Sequence, residues 1–408
     1  MSKNALHFTS KAENPETIIV KTEGEWDFMA DLDWLTAEKQ ENDLIVTAQP
    51  SRLLTDREGV ITITSKDDPT KMAQLQVTQD HGTPKIYDYF VEGSIPIEHL
   101  SPNGRYVAGE WDVNGVVIDL YQIGNAEYKP AIYGMENTDL RSDNSFMLRG
   151  VDDSGKPFAK GVTADGSTTV KFERNENGLY APYVVRNGAS TPLDFPETYM
   201  TGELYQGVYV DLISADGQYI LGRINADGST WIACKWTLNG TSYNFSEIAS
   251  DLIEYNPDNG RFAKFPEPAD INGLSVMGHY SCGVMRVPQG GTIFNPIPAK
   301  YTPYFYNMSD ETITVLEGEE DARASFVTDD GTLFCATPYN FPFGGDRTAF
   351  VYKNGTKQAF SEWVEATYGL DVEDNGVVTA VAKDYGVVVW FTFEPGTGYV
   401  NHFIIVEP

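Results

Sequence analysis

Ser101-Pro-Asn-Gly104-Arg-Tyr-Val-Ala-Gly109 and Ser214-Ala-Asp-Gly217-Gln-Tyr-Ile-Leu-Gly222 are two copies of one pattern. Each sets Asn-Gly or Asp-Gly, residues that accept positive φ, directly before a short apolar run ending on a small residue. That is a hairpin turn feeding a strand. Ser142-Asp-Asn-Ser145-Phe-Met-Leu-Arg-Gly150 is a third copy. Weaker copies stand at Asp270-Ile-Asn-Gly273-Leu-Ser-Val-Met-Gly278, Thr328-Asp-Asp-Gly331-Thr-Leu-Phe-Cys-Ala336 and Glu373-Asp-Asn-Gly376-Val-Val-Thr-Ala-Val381. In all six, the turn position precedes the final small or apolar position by five residues.

The turn positions are 41, 72, 56, 58 and 45 residues apart, irregular for a solenoid but centred where four-stranded propeller blades fall. Third strands follow the variable loops, at 181–188, 233–240 and 349–355. The last copy supplies only three strands, 377–381, 386–393 and 400–406, so 86–91 is expected as the fourth; a ring closed from both ends leaves no exposed edge. The expected fold class is all-β, with a β-propeller over residues 87–408 of six blades, or seven if 151–195 form two. Its Ser-x-Asp-Gly turns are similar to those of propellers in secreted bacterial proteins.

Upstream, residues 6–79 alternate as short strands (17–21, 26–30, 43–48, 59–64, 72–78) separated by turn residues such as Glu23-Gly24 and Lys66-Asp67-Asp68-Pro69. Some 80 residues of this kind close a small two-sheet sandwich. The order Trp26, Asp33-Trp34-Leu35, Leu44-Ile-Val-Thr47, Arg57, Gly59-Val-Ile-Thr-Ile-Thr64 and Leu75-Gln-Val-Thr-Gln79 resembles the BACON domain, Bacteroidetes-Associated Carbohydrate-binding Often N-terminal. One departure is Gln49-Pro50-Ser51, where the family usually has Asn before the Arg. The resemblance implies an Ig-like β-sandwich over 1–80, carbohydrate binding, and a secreted, periplasmic or outer cell-surface location, with lipid anchoring as one route. Trp26 and Trp34 fall where core packing is expected of them. Asp80-His-Gly-Thr-Pro-Lys85, broken by Gly82 and Pro84, joins the two parts, and residues 81–86 read as a linker.

The chain has 408 residues and a net charge of -30, from 29 basic and 59 acidic side chains, which excludes nucleic acid and anionic membrane surfaces as partners. No stretch of 18 apolar residues spans a membrane, and the N-terminus carries no apolar export signal. Cys234, Cys282 and Cys335 are odd in number and widely spaced, giving neither a disulfide framework nor a thiolate metal site; Cys234 and Cys335 lie in apparent strands and are expected buried. The Asp-Gly turns lack the alternating carboxylates of a calcium loop, so no metal and no cofactor is expected.

If the turns join first and second strands, the loops after the second strands gather on the opposite face, where a propeller ligand is expected. Those loops supply the candidate ligand-binding residues Glu110, Trp111, Asp152, Arg223, His279, Tyr280, Tyr339, Phe341, Phe343 and Lys383. The aromatics offer flat faces to sugar rings, and the polar groups offer hydrogen bonds. No nucleophile elbow, zinc helix or phosphate loop appears, so no catalytic residue is assigned. Strongly anionic glycans are disfavoured by charge unless Arg223, Arg286, Arg347 and Lys383 form a local basic mouth. The expected function is a monomeric, non-catalytic binding protein for a glycan or a protein partner. The alternatives are a glycoside hydrolase or polysaccharide lyase using carboxylates or His279, and a scaffold in an outer-membrane complex.

Overall fold

The computed structural model describes residues 1–12, 14–90, 96–111, 114–134, 148–174, 176, 178–196, 207–225, 231–248, 255–256, 261–262, 267–287, 291–292, 295–296, 300–319, 322–337, 347–394 and 397–408. It divides into two units, one of residues 1–86, 384–386 and 404–408, the other of 87–383 and 387–403.

The first unit is a sandwich of two sheets. Ala5–Phe8, Met72–Gln79, Arg57–Ser65 and Trp26–Met29 form one, and Glu16–Ile19, Asp43–Ala48 and Leu35–Gln40 the other. Strict alternation drives it: in Asp43–Ala48 every second residue, Leu44, Val46 and Ala48, is buried. These meet Ile18, Ile61, Ile63, Leu75 and Val77 in one core. Trp26 and Trp34 are buried in that core, each under a cation, Lys39 over Trp26 and Arg57 over Trp34, both at 4.5 Å.

The second unit is a β-propeller. Its first blade is Ile97–Leu100, Tyr106–Trp111, Asn114–Asp119 and Ala131–Gly134. A seven-stranded sheet follows, its halves beginning at Thr168–Arg174 and Gly207–Ile213 and joined where Tyr180 pairs with Gly207, then sheets beginning at Glu267–Leu274, Arg323–Val327 and Val377–Val381. The last takes its outermost strand from Thr83–Phe90, the expected closure. That strand runs through most of the segment expected as a linker; it is tolerated because Pro84, which cannot donate to a ladder, lies on the sheet's edge. One helix, Phe360–Tyr368, departs from the all-strand reading and buries Phe360, Trp363, Val364 and Tyr368.

Between the first two blades lies a short hairpin, Gly150–Val151 with Pro157–Phe158. It adds a seventh turn to the ring. Among the described residues, six turns share one backbone bond, from the Gly N–H to the carbonyl three residues earlier: Gly104 to Ser101, Gly155 to Asp152, Gly166 to Thr163, Gly217 to Ser214, Gly278 to Ser275 and Gly331 to Thr328, all 2.8–3.1 Å. The seventh, 382–386, is closed by Ala382 N–H to Val387 O at 2.9 Å. The Ser hydroxyl explains the repeated motif, since Ser101 Oγ and Ser214 Oγ each accept the N–H five residues on and donate to the Asn or Asp between.

Neighbouring turns are laced together. Asn103 N–H donates to Asp153 Oδ1, Asp153 N–H to Ala164 O, Ala164 N–H to Ala215 O, Ala215 N–H to Val276 O and Met277 N–H to Asp329 Oδ1, at 2.8–2.9 Å.

Three blades differ in phase from the sequence reading. The turn of the Glu267–Leu274 blade is 275–278, five residues after the expected Asp270–Gly273; the Asn-Gly at Asn272-Gly273 lies inside the strand at an irregularity in its register. The final turn is 382–386, and Gly376 precedes its first strand. Asp152 and Asp153, expected in a loop after a second strand, form the hairpin turn itself. The copy at 142–147 lies outside the described residues.

Candidate functional site

The seven inner segments of the propeller surround a cavity of about 560 Å³, lined from within 98–102, 149–151, 161–162, 211–215, 271–276, 323–326 and 377–381. Main-chain strand edges make much of its wall. The chemistry comes from Glu98, His99, Arg149, Asp211, Arg223, Arg323 and Arg347. Strand direction fixes where the arginines stand. Arg149 precedes Gly150–Val151 and Arg323 opens Arg323–Val327, both inner strands running toward a hairpin turn. Arg223 is near the end of Tyr219–Asn225, a second strand running away from its turn, and Arg347 directly precedes the third strand Thr348–Lys353. All four therefore stand at the end of the channel away from the laced turns. Arg323 pairs in register with Ala336, one residue before Thr337, which pairs with Thr348 beside Arg347.

Contacts hold these cations across blade boundaries. Arg347 lies over the Phe391 ring at 5.6 Å and Arg323 over Tyr301 at 5.2 Å, planar guanidinium against an aromatic face. Asp211 Oδ1 accepts from Lys160 Nζ at 3.0 Å, and its other oxygen lies 3.6 Å from Arg223. Burial alone would raise the Asp211 carboxyl; Lys160, through charge and a hydrogen bond, then Arg223 and Arg149, outweigh it and hold the group below the usual carboxylate range. Arg149 Nε is buried with no hydrogen-bond partner among the described residues.

Glu98 is shifted the other way. Its side chain is accessible because it faces the open lumen, yet protein surrounds it, and this desolvation raises its carboxyl; Arg149 and Arg347 pull it down and Glu110 pushes it up. His99 is pushed down to about 3 by burial and then by the Arg149 charge, so it is neutral at physiological pH. Among the described lining residues the wall carries four arginines and two carboxylates.

Of the residues expected from sequence, Arg223 lines the cavity. Glu110 is at the same end, accepts the Leu148 N–H and influences Glu98 from behind the wall. Trp111 pairs with Asn114 at the end of its strand. Asp152 is buried, and its Oδ1 accepts from the Ser154 and Lys156 N–H groups and the Ser154 hydroxyl, fixing the turn. His279 and Tyr280 follow the 275–278 turn and Lys383 lies in the final turn, so these three are at the opposite end of the channel from the arginines. The phase shift of their blades is the cause. His279 is exposed, with Nδ1 3.3 Å from Asp329 O, and Tyr280 packs on Phe305. Tyr339, Phe341 and Phe343 lie outside the described residues.

Sequence reasoning missed Glu98, Arg149, Asp211 and Arg323. Each is a lone polar residue on an inner strand, and only ring closure brings them together. The three cysteines are free thiols buried in the blades, all pushed up by burial, and the described residues hold no cluster of metal-ligating side chains.

Residues 24–80 match the model of the BACON family, described as "Putative binding domain, N-terminal". No curated protein matches the chain in sequence. Among solved structures, "putative TolB" from Agrobacterium tumefaciens is similar at 9% identity and a TM-score of 0.37, over 80% of this chain and 99% of that one. A DUF4784 family protein from Bacteroides caccae is similar at 10% identity and a TM-score of 0.27, over 98% and 93%. An acylaminoacyl peptidase from Pyrococcus horikoshii is similar at 11% identity and a TM-score of 0.34, over 76% and 44%.

Proposed function

We propose that the chain is a non-catalytic binding protein of the cell exterior or periplasm that takes a glycan at the arginine-bearing end of the propeller channel, with the BACON sandwich as spacer or accessory. The observation that carries this reading is the cavity itself. Residues from every blade converge on about 560 Å³, within the range of small-ligand sites, around a few polar groups set in a rigid wall. The sequence's expectation that loops holding Trp111, Tyr339, Phe341 and Phe343 offer flat faces to sugar rings belongs to the same proposal. A glycan array with the full chain tests it, repeated with Ser325→Trp, which fills the channel without changing its charge. Loss of binding in the filler, with an unchanged unfolding midpoint, supports the site; retained binding sinks it. Trp111→Ala and Tyr339→Ala then measure what the loops add.

One observation favours a second reading, a carbohydrate-cleaving enzyme. Glu98 is raised and Asp211 lowered, the opposed shifts that suit a general acid and a base in one site. New reducing ends or unsaturated products from a polysaccharide panel, lost in both Glu98→Gln and Asp211→Asn, would establish it in place of the first.

A further inference from the structure

We propose that Phe393 is a rim subsite of the channel, stacking on a sugar unit that lies outside the lumen, so that the ligand is the end of an oligosaccharide chain longer than the channel encloses. The inference rests on the channel being the glycan site, and it adds the chain length that the site selects.

Strand geometry carries it. Val387–Glu394 follows the 382–386 turn and runs away from it, so its last residues stand at the arginine-bearing end of the channel. Phe391 on this strand lines the cavity. Phe393 is two residues further on, hence on the same face of the strand and about 7 Å nearer the rim. The two rings are joined through Tyr399, near the start of the neighbouring strand Gly398–Glu407. Its ring centroid is 5.5 Å from that of Phe391 and 5.3 Å from that of Phe393, both in edge-to-face contact. One aromatic row thus leads from the lumen wall outward.

The rings of this row differ in what they leave to a ligand. Phe391 is 5% exposed and carries Arg347 over its ring, so it closes the wall. Phe393 is 50% exposed, the most exposed aromatic among the described side chains. Single apolar residues are ordinary on a protein surface. Phe393 differs from these in its place, at the outer end of a row whose inner end lines the cavity. A phenyl ring offers a flat, electron-rich face to the C–H groups of a pyranose and makes no demand on any one hydroxyl, so it holds a sugar by shape and not by charge. A cavity of about 560 Å³ encloses a small ligand. A second point of contact at the rim serves a ligand long enough to reach from the lumen to it, and adds nothing to one that ends inside.

The test is calorimetric titration of the full chain with ladders of neutral oligosaccharides, from the disaccharide upward, derived from cellulose, xylan, mannan and laminarin. In at least one ladder a single added unit should tighten binding about tenfold, the worth of one stacked ring. Phe393→Ala should remove that step and leave the shorter members of the ladder unchanged. Phe393→Leu should remove it as well, since it keeps apolar bulk and loses the flat face, whereas Phe393→Trp should retain it. Met72→Ala, which trims an exposed apolar side chain of the sandwich, should alter nothing. Ladders that bind without a step, a step indifferent to Phe393→Ala, a step that Phe393→Leu retains, or equal weakening of short and long members by Phe393→Ala overturns the proposal. In each of these cases short-ligand binding that Ser325→Trp abolishes leaves the channel as the site. Short-ligand binding that survives Ser325→Trp would remove the channel reading and this proposal together. Failure of every ladder overturns the rim subsite and leaves the channel to the glycan array.

Discussion

The Ile97 N–H donates to Asn401 Oδ1 at 2.8 Å, joining the first strand of the first blade to the last blade across most of the sequence. Asn401 is fully buried, and Thr379 Oγ1 donates to Ile97 O at 3.3 Å beside it. The ring is thus fastened at its seam by side chains as well as by the shared sheet that ends in Thr83–Phe90. Removing the acceptor leaves a buried N–H unpaired, a cost of about 1–3 kcal/mol. Asn401→Ala is expected to lower the propeller's calorimetric transition while the sandwich's own strands, 5–79, keep their hydrogen-exchange protection.

Lys235 is buried and its ammonium reaches out to Glu311 at 2.7 Å, with Tyr306 beneath at 5.1 Å. Burial alone would lower its pKa; hydrogen bonds and charge from Glu311 and Tyr306 together outweigh this and raise it. The two ends of this pair are unequal. Glu311→Gln strands a charge in the blade, and is expected to cost about 1–3 kcal/mol. Lys235→Met removes the charge with its desolvation cost and is expected to be less harmful than Glu311→Gln. Urea midpoints of the two variants rank them; the reverse order defeats the argument.

The channel's ionisable groups give stability a two-sided pH dependence. His99 binds its proton less tightly when folded, at about 3, than when unfolded, at about 6.5. Between those values the unfolded chain holds more protons, so stability falls as pH is lowered through the window. His99→Gln should flatten acid unfolding there. Glu98 is shifted upward, so the folded state holds its proton more tightly and its contribution falls as pH rises above the ordinary carboxyl value. Glu98→Gln is therefore expected to raise the melting temperature at neutral pH, with a gain that shrinks toward pH 4.

The sandwich was legible because its strands obey a period of two and its turns carry ordinary turn residues, so Asp43–Ala48 could be bounded to the residue. Propeller phase was legible where Ser, Asn or Asp and Gly coincide, at Ser101–Gly104 and Ser214–Gly217. It failed at Ser275-Val-Met-Gly278, where Met277 replaces the side-chain acceptor and the turn is held by Ser275 Oγ and Gly278 alone, while a decoy Asn-Gly stands five residues earlier. That slip moved His279 and Tyr280 to the wrong end of the channel. The arginines were legible in part. Arg223 and Arg347 were named with Arg286 and Lys383 as a possible basic mouth, and both line the cavity, whereas Arg149 and Arg323 belong to inner segments whose convergence is a property of ring closure that no local pattern encodes.

The laced turns make a paired test of how the ring is assembled. Gly278 has φ +76°, and a Cβ there would lie 2.7 Å from Tyr219 and 2.9 Å from Ser214 Cβ, both in the preceding blade. Gly240 has φ +63° at the tip of an outer hairpin, with nothing within 4 Å of its would-be Cβ. Alanine pays the left-handed backbone cost at both positions, about 1–2 kcal/mol. Only Gly278→Ala must also push two blades apart, because Ser214 opens the neighbouring turn and cannot swing away as a surface side chain can. Gly278→Ala is therefore expected to destabilise by at least about 1 kcal/mol more than Gly240→Ala, an overpacking cost on top of the shared backbone term. Equal losses in the two variants would mean that the blades yield at their turns, and that the lacing does not hold the channel's lower end rigid.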